Sequence, residues 1–216
     1  MQTSLGANAP EAKGKAARAA RDPEAVPLEI GFASRLRFLS LAEQEAARAA
    51  RYGLSLSLAL FSLDDRESLR PLLLQDQERC DWEVGNRLAG VIRQGPDFLA
   101  RFALGDWAML LPHTGLDGAV AVAERCLQRV IEQEMRIGAE SIRLSIAAGV
   151  ASHDPVRRYG VETVSKLLQA AERAQRESSA LGGSRAVGCA VGSTGAAGFA
   201  ERSEEHTSEL QSLAYL

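Results

Sequence analysis

Apolar and polar positions alternate most cleanly over Leu54-Ser55-Leu56-Ser57-Leu58-Ala59-Leu60-Phe61, and a period of two predicts a β-strand. One face is all leucine and the other mostly small, as expected of a central strand with helices packed on one side. Elsewhere the helical period dominates. Residues 34–51 place Phe38, Leu41, Ala42 and Ala49 on one side and run into Gly53, a helix stop. Helices are also expected over 65–74 and 78–93. Residues 98–111 read as a hairpin, whose apolar arms flank Gly105-Asp106, a pair suited to a two-residue turn. Thr114 and Asp117 form a capping-box-like start for a helix through about Met135, with Ala119, Val122, Ala123, Cys126, Leu127, Val130 and Ile131 as its stripe. Ile142, Leu144, Ile146, Ala148 and Val150 alternate as a further strand. Residues 161–181 predict a helix closed by Gly182-Gly183, and 185–191 an edge strand. The order predicts an α+β fold of one sheet with helices over it.

Composition narrows the picture. At 216 residues and 46% apolar, the chain has room for one cored domain, expected over 28–190, plus tails. Residues 1–27 are rich in Ala, Lys, Arg, Glu and Pro and bury too little to offset ordering entropy, so a disordered arm is expected there. The Gly/Ala-rich stretch 191–201 reads as a flexible tail. Arg202-Ser203-Glu204-Glu205-His206-Thr207-Ser208-Glu209-Leu210-Gln211-Ser212 resembles the in-frame translation of a sequencing adapter, so 202–216 are set aside from fold reasoning. A net charge of −3 argues against a nucleic-acid partner. No apolar run reaches the length of a membrane span, and Met1-Gln2-Thr3-Ser4 opens no secretory signal. Cys80, Cys126 and Cys189 are odd in number and scattered, which suggests a reducing compartment and no metal cluster. A cytoplasmic location is expected.

The hairpin carries more than its pattern. Arg101-Phe102-Ala103-Leu104-Gly105-Asp106-Trp107, then an apolar run and Leu111-Pro112, resembles the signature hairpin of the GGDEF family, the diguanylate cyclases that make cyclic di-GMP from two GTP. That family reads Arg-Tyr-Gly-Gly-Asp-Glu-Phe, an apolar run, then Leu-Pro. Ser34-Arg35-Leu36-Arg37-Phe38 is similar to its Asn-Arg-Arg-x-Phe, and Arg48-Ala49-Ala50-Arg51-Tyr52-Gly53 to its Arg-x-x-Arg-Tyr-Gly. Residues 144–151 resemble its late strand and 167–174 its last helix. The resemblance implies a nucleotidyl-cyclase fold with a ferredoxin-like core and one mainly antiparallel sheet. It also implies a place in bacterial cyclic di-GMP signalling.

The chemistry implied by the resemblance is incomplete. Joining two GTP needs divalent metal on the triphosphate and cations on its phosphates, and hard cations want carboxylate oxygen. The family's metal-binding Asp at the end of the first strand falls on Ser62, and its signature on Ala103, Leu104, Gly105, Asp106 and Trp107. Leu104 stands where a glycine lets nucleotide approach the backbone. The guanine-recognising Asn falls on Leu72, while Asp81 matches the second guanine contact. The phosphate-binding Lys falls on Ser179 and a nearby basic position on Gly183. No catalytic residue, metal or cofactor is therefore expected; magnesium enters only with a residual cyclase activity. The family's inhibitory Arg-x-x-Asp motif keeps Asp97, has Gln94 at its Arg position, and offers Arg93 one residue early; Arg101 could serve the same site. Arginine suits such a site because its fork grips phosphate in two bonds. The plain alternative for Arg93 is a solvated cation at a helix end.

Other candidates read more simply as structure. His113 has no nucleophile nearby. His153 and Asp154 are loop polarity after a strand, Asp64 and Asp65 a solvated helix start, and Trp82 and Trp107 packing rather than stacking platforms. Gly182-Gly183-Ser184 follows a helix and so reads as a C-cap rather than a phosphate loop. The expected function is an inactive GGDEF-like module that binds a protein partner or a second copy. A cyclic di-GMP receptor using Arg93, Asp97 and Arg101, and a residual cyclase depending on Asp106, are the alternatives.

Overall fold

The structure is a computed structural model. It describes residues 32–64, 74–132, 134–137, 140–154, 160 and 162–191. The chain divides into units Met1–Ile30 and Gly31–Leu216, and the described residues fall in the second. The expected arm over 1–27, the tail after Val191, the segment 202–216 and all but the last residue of the expected 65–74 helix lie outside them.

A six-stranded sheet carries the fold. In chain order its strands are β1 (Ala33–Ser34), β2 (Leu56–Leu63), β3 (Phe98–Ala103), β4 (Asp106–Pro112), β7 (Ile146–His153) and β8 (Ala186–Val191). Between β4 and β7 a separate two-stranded hairpin is made by β5 (Met135–Ile137) and β6 (Glu140–Ile142). The large sheet runs β1-β3-β4-β2-β7-β8. β3–β4, β4–β2 and β2–β7 are antiparallel, while the two outer pairs, β1–β3 and β7–β8, are parallel. Among the described residues, four helices pack on it: α1 (Arg35–Tyr52), α2 (Leu74–Ala89), α3 (Leu116–Ile131) and α4 (Thr163–Ala180). The mostly antiparallel sheet with packed helices is the expected architecture.

The core forms two layers, one on each face. Leu56, Leu58 and Leu60 of β2 pack with Phe38, Ala42 and Ala46 of α1 and Leu167 and Ala171 of α4. Ala59, Phe61 and Leu63 of the same strand pack with Val84 and Leu88 of α2 and Ala123 and Leu127 of α3. The expectation of helices on one side of this strand is therefore corrected. Its small positions reflect close packing, not solvent: Ser57 is fully buried, donating to Thr114 O at 2.6 Å and lying 2.8 Å from Ser152 Oγ. On β7, Gly149 lets α4 lie almost on the strand; a Cβ there would overlap the Ala171 carbonyl oxygen and the Gln175 amide.

Local signals were kept or overruled for physical reasons. α1 ends at Gly53 in the left-handed region (φ 64°), as its sequence required. The capping box at Thr114 is corrected: Gly115 is the N-cap, without a side-chain cap bond, and the Thr114 hydroxyl donates to Pro112 O at 3.0 Å instead. The hairpin turn shifts by one residue. Leu104 and Gly105 form it, with Gly105 at φ 79°, and Asp106 already pairs with Ala103. The expected 142–150 strand is broken, because Leu144 lies between β6 and β7 and β7 continues to His153. His153 is thus a buried strand residue rather than loop polarity. The expected 78–93 helix runs earlier, over Leu74–Ala89, and Arg93 lies beyond it.

Candidate functional site

The signature hairpin is held by one buried carboxylate. Asp81 of α2 is 0% exposed. Its Oδ1 accepts from the Gly105 amide at 3.0 Å and from Trp107 Nε1 at 2.8 Å. Its Oδ2 accepts from Nε of Arg101. Asp81 thereby joins α2, the turn and both hairpin strands. Burial raises its pKa above the ordinary carboxylate value, opposed by the Arg101 guanidinium, the Gly105 amide and the Trp107 indole. The carboxylate that the resemblance assigns to guanine recognition is spent on the fold.

Trp107 is itself core, 1% exposed. Its six-membered ring lies against Gly85 of α2, where a Cβ would come 2.6 Å from Cζ2 and 2.9 Å from Cζ3. Phe32, just before β1, meets the same indole edge-on at 4.7 Å between centroids and Trp82 at 5.1 Å. Both tryptophans therefore pack, as expected.

At the metal position, Ser62 ends the pairing of β2 opposite Asp106 of β4. The Ser62 hydroxyl donates to Asp106 Oδ1 at 2.7 Å. The donors here are one hydroxyl and one carboxylate already bonded to each other. That set does not fit a magnesium ion, which takes carboxylate and phosphate oxygen in a near-octahedral shell. Among the described residues there is no group of three or more His, Cys, Asp or Glu that could hold a metal.

The phosphate positions are closed in a third way. Asp64, just after β2, accepts from the Ser179 hydroxyl at 2.5 Å through Oδ1. Its Oδ2 is buried without a hydrogen-bond partner and lies against Gly183 at φ 68°, where any Cβ would overlap it. Asp64 is therefore bonded and half-buried rather than solvated, while Asp65 lies outside the described residues. Where the resemblance calls for two cations, the chain places a serine, a glycine and an acid. Sequence reasoning missed this contact, because the two partners stand 115 residues apart.

Arg93 and Asp97 do come together. Arg93 Nη2 and Asp97 Oδ1 are 2.6 Å apart, Arg93 Nε also donates to the carboxylate, and Asp97 Oδ2 accepts from the Arg93 amide at 2.9 Å. Nη2 further reaches Pro112 O and Thr114 Oγ1, both at 3.1 Å. The side chain of Arg93 is 54% exposed and that of Asp97 is 1% exposed. Arg101 does not join this pair, since it bonds Asp81. The three residues expected to share one site are divided between two ion pairs.

Known domains share this fold. The profile described as "Diguanylate cyclase, GGDEF domain" matches residues 31–185. The GGDEF domain of DgcB from Caulobacter crescentus, solved in complex with c-di-GMP, superposes with a TM-score of 0.66 at 19% identity, covering 73% of this chain and 91% of that one. Diguanylate cyclase SiaD from Pseudomonas aeruginosa, solved with its activator SiaC, gives 0.67 at 26% identity over 79% of this chain, which spans 62% of SiaD. The FimX GGDEF domain from Pseudomonas aeruginosa gives 0.58 at 22% identity, covering 72% and 94%. No curated protein matches the chain. No helix among the described residues is long and apolar enough to cross a membrane. Hairpin, sheet order and profile together place this chain in the GGDEF family of diguanylate cyclase-type domains.

Proposed function

We propose that this chain is a non-catalytic GGDEF domain that acts in cyclic di-GMP signalling by binding another protein. The burial of Asp81 carries the reading. A carboxylate accepting from Gly105, Trp107 and Arg101 and closed to solvent cannot turn to a guanine without leaving three donors unpaired, at ~1–3 kcal/mol each. The Ser62–Asp106 and Asp64–Ser179 bonds support it at the metal and phosphate positions. A fold kept intact around a self-satisfied site is suited to presenting surfaces, and diguanylate cyclase SiaD is solved in complex with its activator SiaC.

A second reading is favoured by Arg93. Its guanidinium is half-exposed and oriented by Asp97, which suits a phosphate. Titration calorimetry with cyclic di-GMP and with GTP plus magnesium separates the readings, with product measured by chromatography. The first expects no heat and no cyclic di-GMP. Heat with cyclic di-GMP that Arg93→Ala abolishes would make the chain a receptor. Product that Asp106→Ala abolishes would overturn both.

A further inference from the structure

The acid at the phosphate positions is only half satisfied. Asp64 Oδ1 is held by the Ser179 hydroxyl at 2.5 Å, but Oδ2 is buried and accepts no hydrogen bond. None of the ion pairs among the described residues involves Asp64. A buried carboxylate charge is costly unless a donor or a cation meets it. An unsatisfied buried oxygen therefore calls for an explanation, a bound water or ion among them.

Around Oδ2 the chain sets hydroxyls. The point that a Gly183 Cβ would occupy lies against Asp64 Oδ2 and 3.1 Å from Ser145 Oγ, so both oxygens border one spot. Ser145 Oγ is in turn 3.1 Å from Ser184 Oγ. Main-chain bonds pin the three segments: the Asp64 amide donates to Ser145 O at 3.0 Å, the Gly183 amide to Ser178 O at 2.9 Å, and the Ser184 amide to Ile146 O at 3.0 Å. Ser184 takes φ 55°, a left-handed conformation unfavourable for a serine, and keeps its hydroxyl beside Ser145. Ser184 is exposed, so this group of oxygens reaches solvent on that side.

The donor set selects the ligand. It offers hard oxygen and a single negative charge. Calcium and magnesium draw on more carboxylate or on substrate phosphate, and the softer metals want imidazole or thiolate. A water would fill the lone pair of Oδ2 but leave the charge unmet. A monovalent cation answers both needs.

We propose that Asp64 Oδ2, Ser145 and Ser184 form a site for a monovalent alkali cation, sodium or potassium, which ties the end of β2 to the entries of β7 and β8. Ser62 and Asp106, at the family's metal position, take no part in it. The proposal thus goes beyond the non-catalytic reading and does not depend on the nucleotide assays.

Thermal unfolding of the full chain in sodium, potassium and tetramethylammonium chloride at equal ionic strength tests it. The melting temperature is expected to be higher in sodium or potassium than in tetramethylammonium, and to saturate as that salt replaces tetramethylammonium, since the ion binds the folded chain alone. The salt that saturates at the lower concentration names the ion. Asp64→Asn, whose amide can still accept from Ser179, should lose the difference between salts. Ser145→Ala keeps the main-chain bond to Asp64 and should raise the half-saturating concentration severalfold. Circular dichroism checks that each variant folds, and Ser145→Ala decides the matter if Asp64→Asn does not. Equal melting temperatures in the three salts, as a water at the site would give, overturn the proposal. So does a salt difference that survives in both variants, or stabilisation by calcium chloride and by neither sodium nor potassium.

Discussion

Gly85 and Trp107 are matched in size, and Gly85→Ala measures the match. The substitution gains helix propensity of ~1 kcal/mol inside α2. Against this, the new Cβ would sit 2.6 Å from Trp107 Cζ2, and overpacking of this kind costs ~1–3 kcal/mol. The indole has little room to yield, because Nε1 is tied to Asp81 and the ring is buried between Gly85 and Phe32. Gly85→Ala should therefore destabilise the chain by up to ~2 kcal/mol. In a Trp107→Phe background the outer ring carbons are gone and the clash with them, so the same change should stabilise by ~1 kcal/mol. Trp107→Phe alone should be costly, since it leaves a cavity and takes one donor from Asp81. Urea denaturation of the four chains gives the coupling energy directly, expected at ~1–3 kcal/mol. An equal effect of Gly85→Ala in both backgrounds would refute the size match.

Gly149→Ala should be worse still, on the order of 3 kcal/mol or more, because it meets the backbone of α4 rather than a side chain; a melting temperature near wild type would count against the close approach. Ser62→Asp sets a second carboxylate beside Asp106; it should lower stability at neutral pH, and magnesium should raise the melting point of the variant but not of the wild type. A variant indifferent to magnesium would show that the site cannot be refilled by this residue alone. Asp81 gives a pH signature. Its folded pKa lies above the ordinary value of 3.8, so the folded chain holds the proton more tightly. Its contribution is whole below that value and is lost as pH rises through the folded pKa. Unfolding free energy of the wild type relative to Asp81→Asn should fall across that interval, and parallel curves would contradict the assignment.

The elements read best from sequence were those specified locally. The alternation through Leu56, Leu58 and Leu60 and the left-handed Gly53 each contain their own structural instruction. β1, β5 and β6 did not, since two or three residues carry no period, and pairing with β3 or with each other makes them strands. The capping pattern at Thr114 was a true local preference outbid by Pro112 O and Arg93. At the site, residue identities were legible and their use was not. Asp81 was visible as a family position, but its bonds to Gly105 and Trp107 cross 24 and 26 residues of chain. Arg101 looked like a ligand contact until the fold supplied it with a buried acid.

The contact between Asp64 and Gly183 also constrains history. While Asp64 lies against that glycine, position 183 can accept no side chain, since any Cβ would overlap the carboxylate oxygen. A chain acquiring a side chain there must first move Asp64, and moving it breaks the hydrogen bond from the Ser179 hydroxyl. Positions 64, 179 and 183 are therefore coupled, and the order in which mutations arrive decides which of them the fold accepts.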